Sequence, residues 1–140
     1  MARSAEPASI GALRTHGSDD DRYSYRRVHV GYLDNANVGL HWVDGEATIL
    51  WANKADYEPL GYTKEEYVGH KITEFHADEA VIGDILTRLL DGQSLYNYKA
   101  PLLCKDGSTL SVLIASSGLF GDEGEFVHTR CFTIAEPTAA

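Results

Sequence analysis

The sequence predicts an α+β domain, and three observations carry that prediction. Val38 to Val43 and Ala47 to Trp51 are short apolar runs joined by Asp44-Gly45, two residues that tolerate positive φ and so favour a hairpin. Leu95 to Cys104, Ser108 to Phe120 and Glu125 to Ile134 are longer runs, separated by Asp106-Gly107 and by Gly121-Asp122-Glu123-Gly124, the pattern of a three-strand meander. Between hairpin and meander, Asp78 to about Leu90 sets Ile82, Ile85, Leu86 and Leu89 on one helical stripe, with Asp84, Arg88 and Asp91 opposite. A chain of 140 residues, 44% apolar and 24% charged, suits one domain with a single core.

Taken in order, residues 1–18 mix Ala, Ser, Gly, Pro and scattered charge without periodicity and read as a mobile tail. Asp19-Asp20-Asp21 then opens a flanking helix over residues 19–36, where Tyr25, Val28, Tyr32 and Leu33 recur at helical spacing as an apolar, aromatic stripe. The body follows over 37–136, with a short C-terminal tail over 137–140. By the two-residue period, Leu40 and Trp42 share one face of the first strand, and Ile49 and Trp51 share one face of the second.

After Trp51 the chain gives two helix starts in quick succession. Asn53 stands at the first, where its side-chain oxygen is expected to accept a bond from a first-turn amide, with Asp56 supplying charge at the positive end of the dipole. Pro59 and Gly61 end that helix, Gly61 in the left-handed conformation. Thr63-Lys64-Glu65-Glu66 is a capping box, Thr63 bonding forward and Glu66 reaching back, and Gly69 stops the turn. In the connector that follows, Ile72 and Phe75 are available to pack. Pro101 lacks an amide donor, which places its strand at a sheet edge. On the fourth strand Leu110, Val112 and Ile114 share one face and Leu113, Ala115 and Leu119 the other, so both faces need cover.

The run from Ile49 to Gly69 (apolar strand, Asn, short helix, Gly-Tyr, Thr-x-x-Glu, closing Gly) resembles the pattern of PAS sensor domains. The resemblance extends to Asp44-Gly45 and Lys105-Asp106-Gly107 and covers roughly Val30 to Thr133. It implies a five-stranded antiparallel sheet in the order 2-1-5-4-3, with short helices and one long helix on one face. It also aims Leu40, Trp42, Ile49 and Trp51 at the interior. Trp42, Trp51, Tyr57, Tyr67, Phe75, Ile82, Ile85 and Leu86 are then the candidates to line a small-molecule pocket, and the same residues would equally make a closed aromatic core. In that strand order a whole strand separates Cys104 from Cys131, roughly 9.6 Å against a disulfide limit of ~7 Å, so both read as reduced, semi-buried thiols.

Catalytic patterns are absent from the sequence. Ser116 and Ser117 have no elbow motif, the carboxylates fall on turns and helix surfaces, and no Cys/His group has zinc spacing. Some members of the family hold haem through a histidine on or near the long helix. His76, just before that helix, is the candidate here, although a solvent-facing histidine is commoner at such a place. Covalent flavin chemistry in light-sensing relatives uses a cysteine entering the helical layer, and Gly69 to His76 contains none. Relatives also leave the fifth strand through an Asp-Ile-Thr type segment, whereas Thr133-Ile134-Ala135-Glu136-Pro137 lacks that Asp. A stand-alone module without an attached output domain is the expectation, passing its signal to a separate partner.

Charge narrows the partners. Residues 1–30 hold five basic and four acidic side chains and residues 31–140 seven and seventeen, +1 against −10, giving −9 in all. A body this acidic repels phosphate backbones and anionic lipid, so neither nucleic acid nor membrane is expected. With no apolar run near the roughly 20 residues of a span and no signal-peptide core, a cytoplasmic location is expected. The expected function is a non-enzymatic sensory or regulatory module acting through small-ligand sensing, homodimerisation or partner binding. The dimer or partner face would combine Tyr25, Val28, Tyr32 and Leu33 with Leu103, Leu113, Ala115 and Leu119. A haem or other cofactor sensor is the alternative, and a small enzyme a distant third.

Overall fold

The computed structural model describes residue 34 and residues 36–137. The expected N-terminal tail, and Tyr25, Val28, Tyr32 and Leu33 of the flanking helix, lie outside the described residues. Within them the chain forms β1 (Gly39–Val43), β2 (Ile49–Ala52), α1 (Lys54–Tyr57), a 3-10 turn (Glu58–Leu60) and α2 (Lys64–Tyr67). A second 3-10 turn (Ile72–Phe75), α3 (Glu79–Leu90), β3 (Leu95–Leu103), β4 (Thr109–Phe120) and β5 (Phe126–Ala135) follow. The strands make one antiparallel sheet in the order β2-β1-β5-β4-β3. Pro101 therefore sits on an edge strand, where its missing amide costs no ladder bond.

Local chemistry explains the helical layer. Thr63 Oγ1 accepts from Glu66 N and Glu66 Oε1 accepts from Thr63 N, the reciprocal capping box. Gly61 closes the first 3-10 turn at φ 93°, a conformation an L side chain would resist. Asp78 Oδ1 accepts from the amides of Ala80 and Val81 and so starts α3. One stripe of α3 then buries Ile82, Ile85 and Leu89 against the sheet, while Asp84 on the other side pairs with Arg88 at 2.9 Å and accepts from Tyr98 Oη at 2.6 Å. Each fully buried Ile or Leu contributes about 1.5–3 kcal/mol, so that stripe helps to hold α3 to the sheet, within a core that also takes Tyr57, Leu60, Tyr67, Ile72 and Phe75 from the short helical segments.

Two readings of the sequence are corrected here. Asn53 occupies the N-cap position of α1, but its side chain makes no cap bond. Its Oδ1 accepts from Leu40 N at 2.8 Å and its Nδ2 donates to Val38 O at 2.9 Å, so a fully buried Asn53 ties α1 to the start of β1. Trp42 and Trp51 do not face the interior. Trp42 pairs with Trp51 but Val43 pairs with Ile49, which leaves Leu50 as an extra residue, a bulge. The bulge breaks the two-residue alternation, so Ile49 points in while Trp51, opposite Trp42, lies on the outer face. On β1 the inward pair is His41 and Val43, and Leu40 and Trp42 face outward.

Candidate functional site

The space between the sheet and α3 is lined by a mostly apolar wall with an unexpected polar seam. β1 contributes His41, α1 Asp56, α2 Tyr67, β4 Ser116, and β5 Thr129 and Cys131, all buried. Asp56 reaches this seam because Gly39 lets it approach the strand: a Cβ at Gly39 would meet Asp56 Oδ1 at 2.7 Å. Asp56 Oδ2 lies 3.0 Å from His41 Nδ1 and accepts from Tyr67 Oη at 2.7 Å. The His41 N–H direction misses the line to the carboxylate, so the contact is ionic in character more than a directed hydrogen bond.

Cys131 stands on the other side of His41. Its Sγ meets Ser116 Oγ at 2.6 Å and Thr129 Oγ1 at 3.5 Å, and the charge of the His41 ring acts on it. Ser116 Oγ also donates to Arg130 O, and Thr129 Oγ1 accepts from Val43 N at 3.0 Å, which extends the β1–β5 join past the last paired residues.

Burial alone would strip the proton from His41, but the Asp56 carboxylate beside it, with Cys131, raises its pKa well above the ordinary histidine value. Burial pushes the Cys131 thiol up, and the charge of His41 together with bonds from Ser116 and Thr129 outweighs it, so the thiol falls below its ordinary range. Tyr67 is held protonated by burial and by the neighbouring Asp56. His76 behaves oppositely to His41: burial, with the charge of His41 added, lowers it to about 4.

A small cavity of about 20 Å³, room for a water-sized molecule, adjoins this seam. His41, His76, Thr129 and Cys131 give it polar walls, and Ile82, Ile85 and Leu86 of α3 close it. Three of the eight pocket candidates, Ile82, Ile85 and Leu86, thus line it. Tyr57, Tyr67 and Phe75 are buried instead among the short helices, with Tyr67 and Phe75 rings 4.6 Å apart. His76 is half-buried, where a helix-start histidine commonly faces solvent. Its Nδ1 is buried without a hydrogen-bond partner among the described residues.

The carboxylates are not all on surfaces, as the sequence reading had them, since Asp56 is in the core. His41, Thr129 and Cys131 escaped that reading, although Ser116 continues the face of Val112 and Ile114 at the same two-residue step. That extension was the available signal.

The outer face of the sheet is aromatic. Trp42 stacks on His128 with ring centroids 5.0 Å apart and packs at a tilt against Trp51, 5.1 Å away. Phe132 and Ile134 are exposed beside them. Leu113, Ala115 and Leu119 share this face by register with Ile134, Phe132 and His128, and all three are half-buried, as is Leu103 on β3. Among the described residues no helix is long and apolar enough to cross a membrane, and no cluster of His, Cys, Asp or Glu has metal-holding geometry. Both cysteines are free, with β4 lying between their strands.

A family model described as PAS domain matches residues 37–134. A search of curated protein sequences finds no match. Among solved structures, an RNA-binding light-oxygen-voltage receptor superposes with a TM-score of 0.69 at 17% identity, covering 79% of this chain and 33% of that one. The chain thus spans about a third of that receptor's length. The PAS domain of an HTR-like protein from Haloarcula marismortui gives 0.67 at 23% identity, covering 84% and 97%. The PAS-B domain of Drosophila melanogaster Cycle, with bound ethylene glycol, gives 0.63 at 14%, covering 70% and 99%. At these identities the likeness is one of fold.

Proposed function

The chain belongs to the PAS domain family, and on that premise we propose that it is a sensory module whose core cavity takes a small polar molecule and whose outer sheet face passes the response to a second copy or a signalling partner. The observation that carries this reading is the cavity itself: His41, His76, Thr129 and Cys131 share the lining of a space that Ile82, Ile85 and Leu86 close. β1 and β5 connect it to the surface, because His41 and Cys131 alternate along those strands with Trp42 and Phe132. A shift on one side of either strand is felt one residue away on the other.

Ethylene glycol, the diol named with the Drosophila structure, is larger than the water-sized space and so probes whether the cavity widens for a small polar ligand. In a titration followed by NMR, the amides of His41, Thr129 and Cys131 are expected to shift; if only surface amides move, the cavity reading fails. The output half is tested separately. Leu113→Glu with Leu119→Glu places charge on the outer face, and light scattering is expected to show monomer where the wild type shows dimer. A wild type that is monomeric at high concentration leaves a separate protein as the partner. The acidic charge, −9 overall, supports neither nucleic acid nor anionic lipid in that role.

His76 keeps the haem alternative in play, because it is among the residues that line the cavity. Against it stands the size of the space, which a macrocycle would enter only by displacing Ile82, Ile85 and Leu86. An absorption spectrum with a Soret band would replace the small-ligand reading with this one. The non-enzymatic reading rests on the same confinement, and an activity screen that finds turnover would end it.

A further inference from the structure

We propose that Cys131 is an oxidant-sensing thiol, converted to a sulfenic acid by a hydroperoxide that reaches the cavity between α3 and the sheet. The residue is one member of a built cluster. Its sulfur is held by Ser116 Oγ at 2.6 Å and Thr129 Oγ1 at 3.5 Å, with the His41 ring beside it and Asp56 3.0 Å behind that ring. Cys131, His41 and His76 all line the cavity, and the buried Nδ1 of His76 has no partner among the described residues. The cavity therefore offers a small O–H molecule room beside Cys131, His41 and His76.

The arrangement matches what a reactive thiol needs. The nucleophile is the thiolate, and a cationic neighbour favours it. Asp56 keeps His41 protonated, and His41 with Ser116 and Thr129 draws the Cys131 thiol toward thiolate. Cys104, by contrast, sits half-buried past the end of β3.

The step balances on groups already named. The Cys131 thiolate attacks one peroxide oxygen, the S–O bond forms as the O–O bond breaks, and sulfur gives up the two electrons that reduce the peroxide. The departing hydroxide, or alkoxide, takes the proton of the His41 imidazolium and leaves as water or alcohol. His41 is then neutral beside Asp56. With Cys104 a strand away, no second thiol within the chain is placed to resolve the product, so the sulfenic acid persists until an outside thiol reduces it. The added oxygen has to fit against Ser116 and Thr129, which strains the β4–β5 pairing next to exposed Phe132.

This proposal shares the cavity with the ligand reading above but does not depend on a ligand being held there. The reduced full-length chain is treated with hydrogen peroxide, sulfenic acid is trapped with dimedone, and peptide mass spectrometry follows Cys104 and Cys131 separately, in buffer and in urea. Native Cys131 is expected to react about tenfold faster than the same residue in the unfolded chain, and faster than native Cys104. A native rate equal to or below the unfolded one overturns the proposal, because the fold would then shield the thiol and not activate it. If His41→Asn retains the native circular dichroism spectrum, its Cys131 rate is expected to fall to the unfolded value; an unchanged rate also overturns it. Should the His41 variant not fold, the comparison in urea decides alone. Ethylene glycol that leaves the cavity amides unmoved, with Cys131 still fast, removes the ligand reading and keeps this one.

Discussion

Along β1 the inward side chains include the ionisable His41, while the outward Trp42 is 38% exposed; β5 repeats the arrangement, with Thr129 and Cys131 buried and Phe132 52% exposed. Polar groups line the inside of these two strands and aromatic ones the outside, the reverse of what hydropathy suggests. The two faces solve different problems. Inside, specific partners offset part of the desolvation: Asp56 serves His41 and Tyr67, and Thr129 serves Val43 N. Outside, Trp42 covers itself against the stacked His128 and the tilted Trp51 and leaves its remaining surface open. The comparison teaches that in this sheet the inner face is sensitive to the loss of a single partner, and the outer face is free to serve contact with another molecule.

The largest expected effect breaks the inner face. Asp56→Ala leaves a buried, charged His41 without its counter-charge and the Tyr67 hydroxyl without its acceptor, at a cost of about 3–5 kcal/mol. Urea unfolding measures it, and a loss near zero would show that the seam is solvated and that the contrast between faces is not real. Next comes acid. Because His76 titrates at about 4 in the folded chain against 6.5 when unfolded, the unfolded chain takes the proton first, and stability falls as pH drops from 6.5 to about 4. The full loss from this group is about 3 kcal/mol. His41 runs the other way: its contribution is complete below the ordinary histidine value and fades as pH rises through its raised one. Comparing wild type with His76→Phe between pH 4 and 7 isolates the first term, and equal acid loss in both proteins would remove His76 from the interior.

Asn53→Ala follows, at about 2–3 kcal/mol, since Leu40 N–H and Val38 C=O both lose their partner. A loss of only about 1 kcal/mol would return Asn53 to an ordinary cap. The smallest effect is predicted on the outer face: Phe132→Ser is expected to change folding stability by no more than about 0.5 kcal/mol while weakening any dimer seen by light scattering. A large folding loss from that substitution would mean the outer face is core, and would collapse the distinction between the two.

The sequence by itself determined the elements whose signals are local. The Thr63–Glu66 capping box, Gly61 at positive φ, Asp78 at the start of α3 and the α3 stripe all depend on residues within a few positions of one another, and each is present as read. The strand order came from family resemblance, and the structure has it. Only the tertiary structure decided which face of β1 and β2 turns inward, and there the reading of Trp42 and Trp51 failed. Inside and outside are set by what arrives from elsewhere in the chain: Asp56 from α1 gives His41 a reason to be buried, and Gly39 clears its path. The bulge at Leu50 then adds one residue to a pattern of period two, so every side chain beyond it changes sides. Neither the arrival of a distant carboxylate nor a single unpaired residue leaves a mark in the local periodicity, because periodicity records which side chains share a face and not what that face will meet.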